Sequence, residues 1–586
     1  MTSGGVLSNG ELHVVLNGTA QVSQLYFPYV GSEPHTHGAA HKVGVFVDGE
    51  MSWLEDDGWR FKSRLPHGAL IMNTVAVNER LGILLEFDDA VSSEANVLIR
   101  SAHVVNLRDE ARDIKLFFHQ AFRISDERSA ADTACFVPNE QALLHYRGRR
   151  AFAIGAVNYN GKSFDQFSVG RFGAPGLDGT WRDAEDGELA GCRRDDGATD
   201  SILRLSLTIP AYASQRVQYW LAAANSPRTA LTLHTSLRDG NPMAQLKKTA
   251  TLWHRWLNPS FKIGQKLLPT QRQSFVACLT AVRAHFDNHG AIITETDARG
   301  EGWSRTHEAA YLLWPLIRLG YRDEALKFFG FCEQALAPEG YLLPKYRADG
   351  AWGMLDGEWR DTPPIDPIDT AMVLFTFVQY QALHPRSAVL PDFYESLVVP
   401  TANFLSQYEY TRDTYAVALV IAALQAAGDL AEKSKDHEHA VKWRTVAEDM
   451  RWVSSELYDG EKQVFVTNES NELVIDGFFG AFMFGLAGLD DERIERAADT
   501  IDRALKTADG LYRRHDRDTT ASVLASLWMA QYFMEIGRSD KAHEIIAKIT
   551  KRVNRTGFIA HSDASALPVR TSAEYISTLL DTITKL

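Results

Sequence analysis

The feature that most restricts this chain is a punctuation that recurs in its C-terminal half. An apolar residue and a glycine are followed within a few positions by an acidic helix start. Leu319-Gly320-Tyr321 precedes Arg322-Asp323-Glu324-Ala325, Ala487-Gly488-Leu489 precedes Asp490-Asp491-Glu492, and Ile536-Gly537-Arg538 precedes Ser539-Asp540-Lys541-Ala542. Ala427-Gly428-Asp429 is a looser fourth case. Glycine accepts the left-handed conformation that closes a helix, and carboxylates in the next first turn face the positive end of the new helix dipole. Residues 270–586 therefore read as helical almost throughout. Repeated helix pairs stack either as an open solenoid or as a closed α/α toroid. About a dozen helices over this span would close one toroid, and the irregularity of the repeats favours the closed form.

The stretch from Gly302 to Phe329 shows the pattern at close range. It opens on a polar cluster, Trp303, Arg305, His307 and Glu308. It continues with Ala309, Leu312, Leu313, Leu316 and Leu319 on one helical face. An indole, a guanidinium and a carboxylate thus stand at the mouth of a helical hairpin, a set suited to holding a sugar. The plainer reading is a capped surface helix with scattered polar residues.

The N-terminal part has a different period. Short alternating runs recur at Glu11–Leu16, Lys42–Val47, Ala69–Val75, Leu81–Phe87, Asn96–Val105, Ile114–Phe122, Ala151–Val157, Ile202–Ile209 and Val217–Ala222. Asn17-Gly18, Asp48-Gly49 and Asn160-Gly161 punctuate them as turns. Many strands without intervening helices predict a large antiparallel β-sandwich. Residues 173–199, rich in Gly, Asp and Arg, read as an exposed loop. The expected organisation is a β-sandwich over 1–225, a helical linker over 226–269 and a helical toroid over 270–586.

Charge and motifs narrow the function. With 61 basic and 75 acidic residues the net charge is −14, which argues against nucleic acid or an anionic membrane as the main partner. No apolar run reads as long enough to span a bilayer, and the first residues show no basic and apolar leader. Cys135, Cys192, Cys278 and Cys332 are far apart and form no CxxC motif, as expected of reduced thiols in a cytoplasmic protein. There is no GxGxxG, Walker or GxSxG motif, so nucleotide and serine-hydrolase readings have no support and no cofactor is expected. His35, His37 and His41 lie close together but lack an acidic or Cys partner at a telling spacing, so they read as loop residues and no metal site is expected.

Several segments resemble glycoside hydrolase family 15, the glucoamylase-like and trehalase-like enzymes, over nearly the full length. Phe27 to Leu54 resembles the family's N-terminal sandwich signature. Trp303-Ser304-Arg305 followed by Glu308-Ala309-Ala310-Tyr311 resembles its W-P-R-D-A-A-[FY] motif, with Glu308 in the place of the motif's Asp. Tyr341 to Tyr346 resembles its L-Q-K-Y segment, and Pro364 to Thr370 its P-I-Q-E-D-E-T segment. Ile475-Asp476-Gly477, Leu527 to Ala530 and Ala573 to Ile576 are similar to its later helices. The resemblance implies a β-sandwich followed by an (α/α)6 barrel, with the active site at the wide mouth of the barrel.

It also implies an inverting acid/base mechanism on α-linked glucosides. In such enzymes one carboxylic acid protonates the glycosidic oxygen and a carboxylate roughly 6.5–9.5 Å away activates water. The acid of the family lies in a D-L-W-E-E segment. The matching stretch here is Leu405 to Tyr410, with Glu409 as the acid and Tyr408 in place of the tryptophan. The base segment is matched by Gly557 to Asp563, which puts His561 where the family has a carboxylate and Asp563 two residues beyond. Three readings follow. In the first, hydrolysis proceeds with His561 or Asp563 as base. In the second, inorganic phosphate is the nucleophile, bound by His561, Ser562, Arg570, Thr571 and Ser572. In the third, the barrel binds a glycan without turnover. The carbohydrate contacts implied are Trp303, Arg305, Glu308, Lys345, Asp366 and Asp369. Arg305 and Glu308 are expected to pair with each other, and Asp366 and Asp369 can alternatively cap a helix. Arg514, His515 and Asp516 read as a solvated charge cluster.

Overall fold

The computed structural model describes residues 3–66, 68–124, 131–297, 300–351, 365–385, 390–409, 411–467, 473–559 and 569–584. The chain forms two compact units. One comprises Met1–Asn258, Arg283–Asn288 and Thr296–Gly302, the other Pro259–Val282, His289–Glu295 and Trp303–Leu586.

The first unit is built from antiparallel sheets. Nine strands run in the order Arg194–Gly197, Asp132–Val137, Ala142–Arg147, Arg150–Val157, Ser214–Ala224, Val97–Asn106, Ile83–Val91, Met72–Asn78 and Trp59–Arg64. Five more run Gln166–Arg171, Thr199–Ile209, Arg112–Phe122, Val43–Val47 and Glu50–Trp53. The two sheets face each other: Phe118 stacks on Tyr219 with ring centres 4.5 Å apart, and Phe122 on Phe152 at 4.9 Å. Each alternating run singled out in the sequence overlaps a strand. Residues 173–199 are largely exposed, as expected, but they also carry a 3-10 turn at Thr180–Asp186 and an edge strand.

Two helices, α1 (Pro227–Asp239) and α2 (Pro242–Gly264), follow the last strand. Leu237 and Leu246 pack on Val97, Ile99 and Trp220 of the nine-stranded sheet, and the Trp220 indole donates to His234 Nδ1 at 3.1 Å. Inside the sandwich, His119 Nε2 lies 2.9 Å from Asp200 Oδ2, and His145 Nε2 2.8 Å from Ser201 Oγ. His35 and His41 are buried against the carbonyls of Phe27 and Ala121.

The second unit is helical: α3 (Pro269–Arg283), α4 (Thr306–Leu319), α5 (Arg322–Ala335), α6 (Pro367–Leu383), the short α7 (Leu390–Phe393), α8 (Val399–Leu405), α9 (Thr414–Lys433), α10 (His437–Val453), α11 (Ile475–Met483), α12 (Glu492–Ala504), α13 (Val523–Glu535), α14 (Ser539–Thr550) and α15 (Val569–Thr584). Helices α4, α6, α9, α11, α13 and α15 touch one another in that order, and α15 returns to α4. Helices α5, α8, α10, α12 and α14 each pack against the ring helix that precedes them. Sequence explains the division. Helix α13 is mostly apolar and buried on every side from Val523 to Met534, whereas α12 buries only Ile494, Ala497, Ala498 and Ile501, a single stripe.

Three expectations need correction. Gly428 does not end a helix; it lies buried within α9. Its missing side chain leaves room for Arg444 of α10, whose Cγ would stand 2.7 Å from a Cβ at that position. Helix α11 ends at Met483, and Gly485, not Gly488, takes the left-handed conformation. Helix α9 is also long and apolar enough to cross a membrane by length and composition, but 78% of its most apolar window is buried in the fold. It is a core helix of the ring. Gly320 does close α4, at φ 87°, with the Tyr321 amide donating to Leu316.

Candidate active site

The polar residues gather where the first turns of the ring helices meet. The short strand Gly302–Arg305 pairs with Lys345–Tyr346 and delivers the chain into α4. Arg305 is still extended, and α4 has no side-chain cap of its own. Asp369, in the first turn of α6, supplies one: its Oδ1 accepts from the Thr306 hydroxyl at 3.0 Å and from the His307 amide at 3.1 Å. Asp366 caps α6 itself by accepting from the Ile368 amide at 3.0 Å. Burial, reinforced by the charge of Asp366, pushes the Asp369 carboxyl up to about 8 against the pull of those hydrogen bonds. Asp369 is thus a carboxyl that holds its proton near neutral pH.

Behind this layer stands a chain of hydroxyls and an imidazole. His307 Nε2 lies 2.7 Å from the Tyr415 hydroxyl, which lies 2.6 Å from that of Tyr311. Burial and the nearby Arg570 and Arg514 guanidiniums hold the His307 imidazole well below its ordinary value, so it is neutral. Burial pushes both phenols up. Arg570, at the start of α15, pairs with Glu308 and lies 4.4 Å above the Tyr311 ring. Its Nε has no hydrogen-bond partner among the described residues. Arg514 pairs with Asp476 in the first turn of α11, its Nε donating at 2.9 Å.

The expected site residues are partly united here. Glu308 and Asp369 belong to the cluster. Arg305 and Glu308 do not pair. Arg305, at the end of an extended strand, donates to Glu295 at 2.7 Å, while Glu308, one helical turn on, faces Arg570. Lys345 is buried with its ammonium 4.6 Å above the Trp303 indole. That face of Trp303 is covered by Lys345. Tyr408 is half-buried, its hydroxyl 2.8 Å from that of Thr411, and burial, with the charges of Asp366 and Asp413 added, raises its pKa. The adjoining Glu409 is exposed and makes no hydrogen bond or ion pair among the described residues. His561 and Asp563 lie outside the described residues.

Sequence reasoning did not see Tyr311, Tyr415 and Asp476 as site residues, and it took Arg514 for surface charge. Their common signal is position: each is in, or just after, the first turn of a ring helix, or is paired with a residue that is. A chain with this arrangement can hold polyhydroxylated ligands through charged pairs, a protonated carboxyl and phenols, and offers an unpaired carboxylate nearby for proton transfer.

No family model matches the chain. The uncharacterized glycosyl hydrolase MJ1610 of Methanocaldococcus jannaschii is 22% identical to it over 572 residues, 91% of this chain and 88% of that protein. Among solved structures, a bacterial glucoamylase complexed with acarbose superposes with a TM-score of 0.80 at 15% identity, covering 100% of this chain and 94% of its own. A candidate kojibiose phosphorylase from the human microbiome superposes with a TM-score of 0.58 at 10% identity, over 96% of this chain and 79% of its own. The chain therefore has a glucoamylase-like fold over its whole length, and its motifs resemble glycoside hydrolase family 15 over nearly the same span.

Proposed function

We propose that the chain is a glycoside hydrolase acting on α-linked glucosides with inversion, its ring helices and their outer partners forming an (α/α)6 barrel that follows the N-terminal β-sandwich in the sequence. The observation that carries this reading is the convergence of Glu308, Asp369, Tyr415, Asp476 and Arg570 from five ring helices at their N-terminal ends, where helix dipoles and charged pairs favour an oriented, hydroxyl-rich ligand. Glu409 is the general acid. It stands in the loop before α9, exposed to an incoming substrate. It donates its proton to the glycosidic oxygen as the bond to the anomeric carbon breaks, and water adds from the opposite face. The base that takes the water's proton comes from the segment containing His561 and Asp563. Arg305, Glu308, Asp366 and Asp369 orient the sugar, and Tyr408 flanks the acid.

Phosphorolysis is the second reading. It is favoured by the unpaired Nε of Arg570 and by Arg514, near enough for the Arg570 charge to oppose that of Arg514. An anion placed between them would relieve that repulsion. The test is product analysis from a panel of α-linked disaccharides, trehalose and maltose among them, with and without inorganic phosphate. Free monosaccharide formed without phosphate supports hydrolysis. A sugar 1-phosphate formed only with phosphate replaces it with phosphorolysis. Glycan binding without turnover of any member would overturn both.

A further inference from the structure

The interior of the helix ring holds a second space that the proposed reaction does not use. It is a cavity of about 590 Å³ lined by later turns of the ring helices, among them Trp314 and Arg318 of α4, Phe375 of α6, Gln531 of α13, and Glu574 and Asp581 of α15. Glu308 and Arg318 are ten residues apart on one helix, so the far end of this cavity lies about 15 Å from the mouth cluster at 1.5 Å per residue. Tyr311 forms its inner boundary, bonded to Tyr415 and covered by the Arg570 guanidinium. Met483 and Leu489 line the cavity and are 38% and 45% exposed, so it is reached from solvent.

The polar part of this cavity is held in place and left incomplete. Gln531 is 5% exposed, and its amide nitrogen donates to Glu574 Oε1 at 2.7 Å and to the Thr578 hydroxyl at 3.0 Å. The Thr578 hydroxyl in turn donates to the Glu574 carbonyl, so it can only accept from Gln531. Both partners fix the amide with its nitrogen towards α15. The amide oxygen is buried and has no hydrogen bond among the described residues. Buried acceptors in folded proteins are nearly always paired, so an unpaired one beside a cavity marks a place for a donor. Across from it, Arg318 donates to the Ser577 carbonyl at 3.0 Å and pairs with Asp581 at 2.8 Å. Trp314 and Phe375 supply flat apolar faces.

We infer that this cavity is a second ligand site for a neutral sugar or short oligosaccharide, separate from the mouth of the ring. The volume falls within the usual range for small-molecule sites. Aromatic faces take the apolar faces of a pyranose ring, the Gln531 oxygen takes a hydroxyl proton, and the paired Arg318 and Asp581 offer both a donor and an acceptor. Tyr311 is the contact through which an occupied cavity reaches Tyr415 and His307.

Calorimetric titration of the full chain with maltose and with methyl α-glucoside tests this, with the organic cation tetraethylammonium as a control. The wild-type protein is expected to show two classes of saccharide site. Gln531→Leu is expected to weaken one class about tenfold or more, the loss of 1.4 kcal/mol or more. Met483→Trp, at the exposed rim, is expected to abolish that class by blocking entry and to leave the other class unchanged. Circular dichroism checks that each variant is folded. A single class unaffected by Met483→Trp in a folded protein would overturn the proposal. So would binding of tetraethylammonium, without saccharide, at the Gln531-dependent site. The two-class result does not depend on turnover, so a mouth that proves to be phosphorolytic or silent leaves this test intact.

Discussion

At the scale of single residues, a carboxyl that keeps its proton and a charged pair near the mouth have opposite needs. Asp369 has a native pKa of about 8 against an ordinary 3.8, so the folded state holds its proton more tightly than the unfolded chain does. Its contribution to stability is full below about pH 4 and is lost as the pH rises towards 8. Asp369→Asn keeps an oxygen to accept from Thr306 and His307, so thermal melts of this variant should lose that decline. An unchanged slope between pH 4 and 8 would show that another group governs it. Glu308 and Arg570 are a partly buried pair, with side chains 24% and 18% exposed. Removing one member of such a pair leaves the other charge stranded. Glu308→Gln should cost about 3 kcal/mol in denaturant unfolding, and the double variant Glu308→Gln, Arg570→Met should recover part of it. A double variant no better than the single one would mean that the pair is not the cause.

At the scale of elements, local chemistry explains much of what the sequence made legible. Gly320, followed by an acidic first turn, marked the end of α4 because only glycine takes φ 87° without strain. Gly320→Ala meets no neighbouring atom, so its cost is conformational alone, about 1–2 kcal/mol in chemical denaturation. A neutral result would remove the backbone argument for that stop. The same reasoning failed at Gly428, where the glycine serves packing between α9 and α10. Residue order does not distinguish a glycine that ends a helix from one that lets two helices close. The site was less legible than its helices. Arg305 and Glu308 are neighbours in sequence, yet they turn to different partners, Glu295 ten residues back and Arg570 at the far end of the chain. The change from strand to helix between them sends their side chains apart. Tyr415 carried no motif, and Asp476 stood in the Ile475-Asp476-Gly477 segment without a site role; only the closing of the ring brings them to His307 and Arg514.

At the scale of the whole molecule, the first unit should lose stability in acid. His41 and His145 are buried in the sandwich, and burial lowers both from 6.5 to about 3. The unfolded chain takes up protons on these groups below about pH 6.5, while the native fold does not. Their stability contribution is therefore present above pH 6.5 and lost as the pH falls towards 3. Hydrogen exchange read by peptide should show the strands around Phe118 and Phe122 losing protection between pH 6.5 and 4. Protection that holds constant across that range would contradict the assignment of neutral buried imidazoles. The alternation of apolar and polar residues made the sheets legible. The sequence did not reveal that two sheets would bury several histidines between them, because the sheet pairing and not the local pattern decides which polar side chains face inward.

The central claim is that Glu409 protonates a glycosidic oxygen, and leaving-group dependence tests it most directly. An α-linked disaccharide needs that proton, whereas α-glucosyl fluoride has a leaving group that departs without one. Rates on both substrates should be compared for the wild type and for Glu409→Gln. A general acid contributes roughly 10²–10⁴-fold. The account predicts a loss of that size on the disaccharide and little loss on the fluoride. Equal losses on the two substrates, or no loss on the disaccharide, would contradict it.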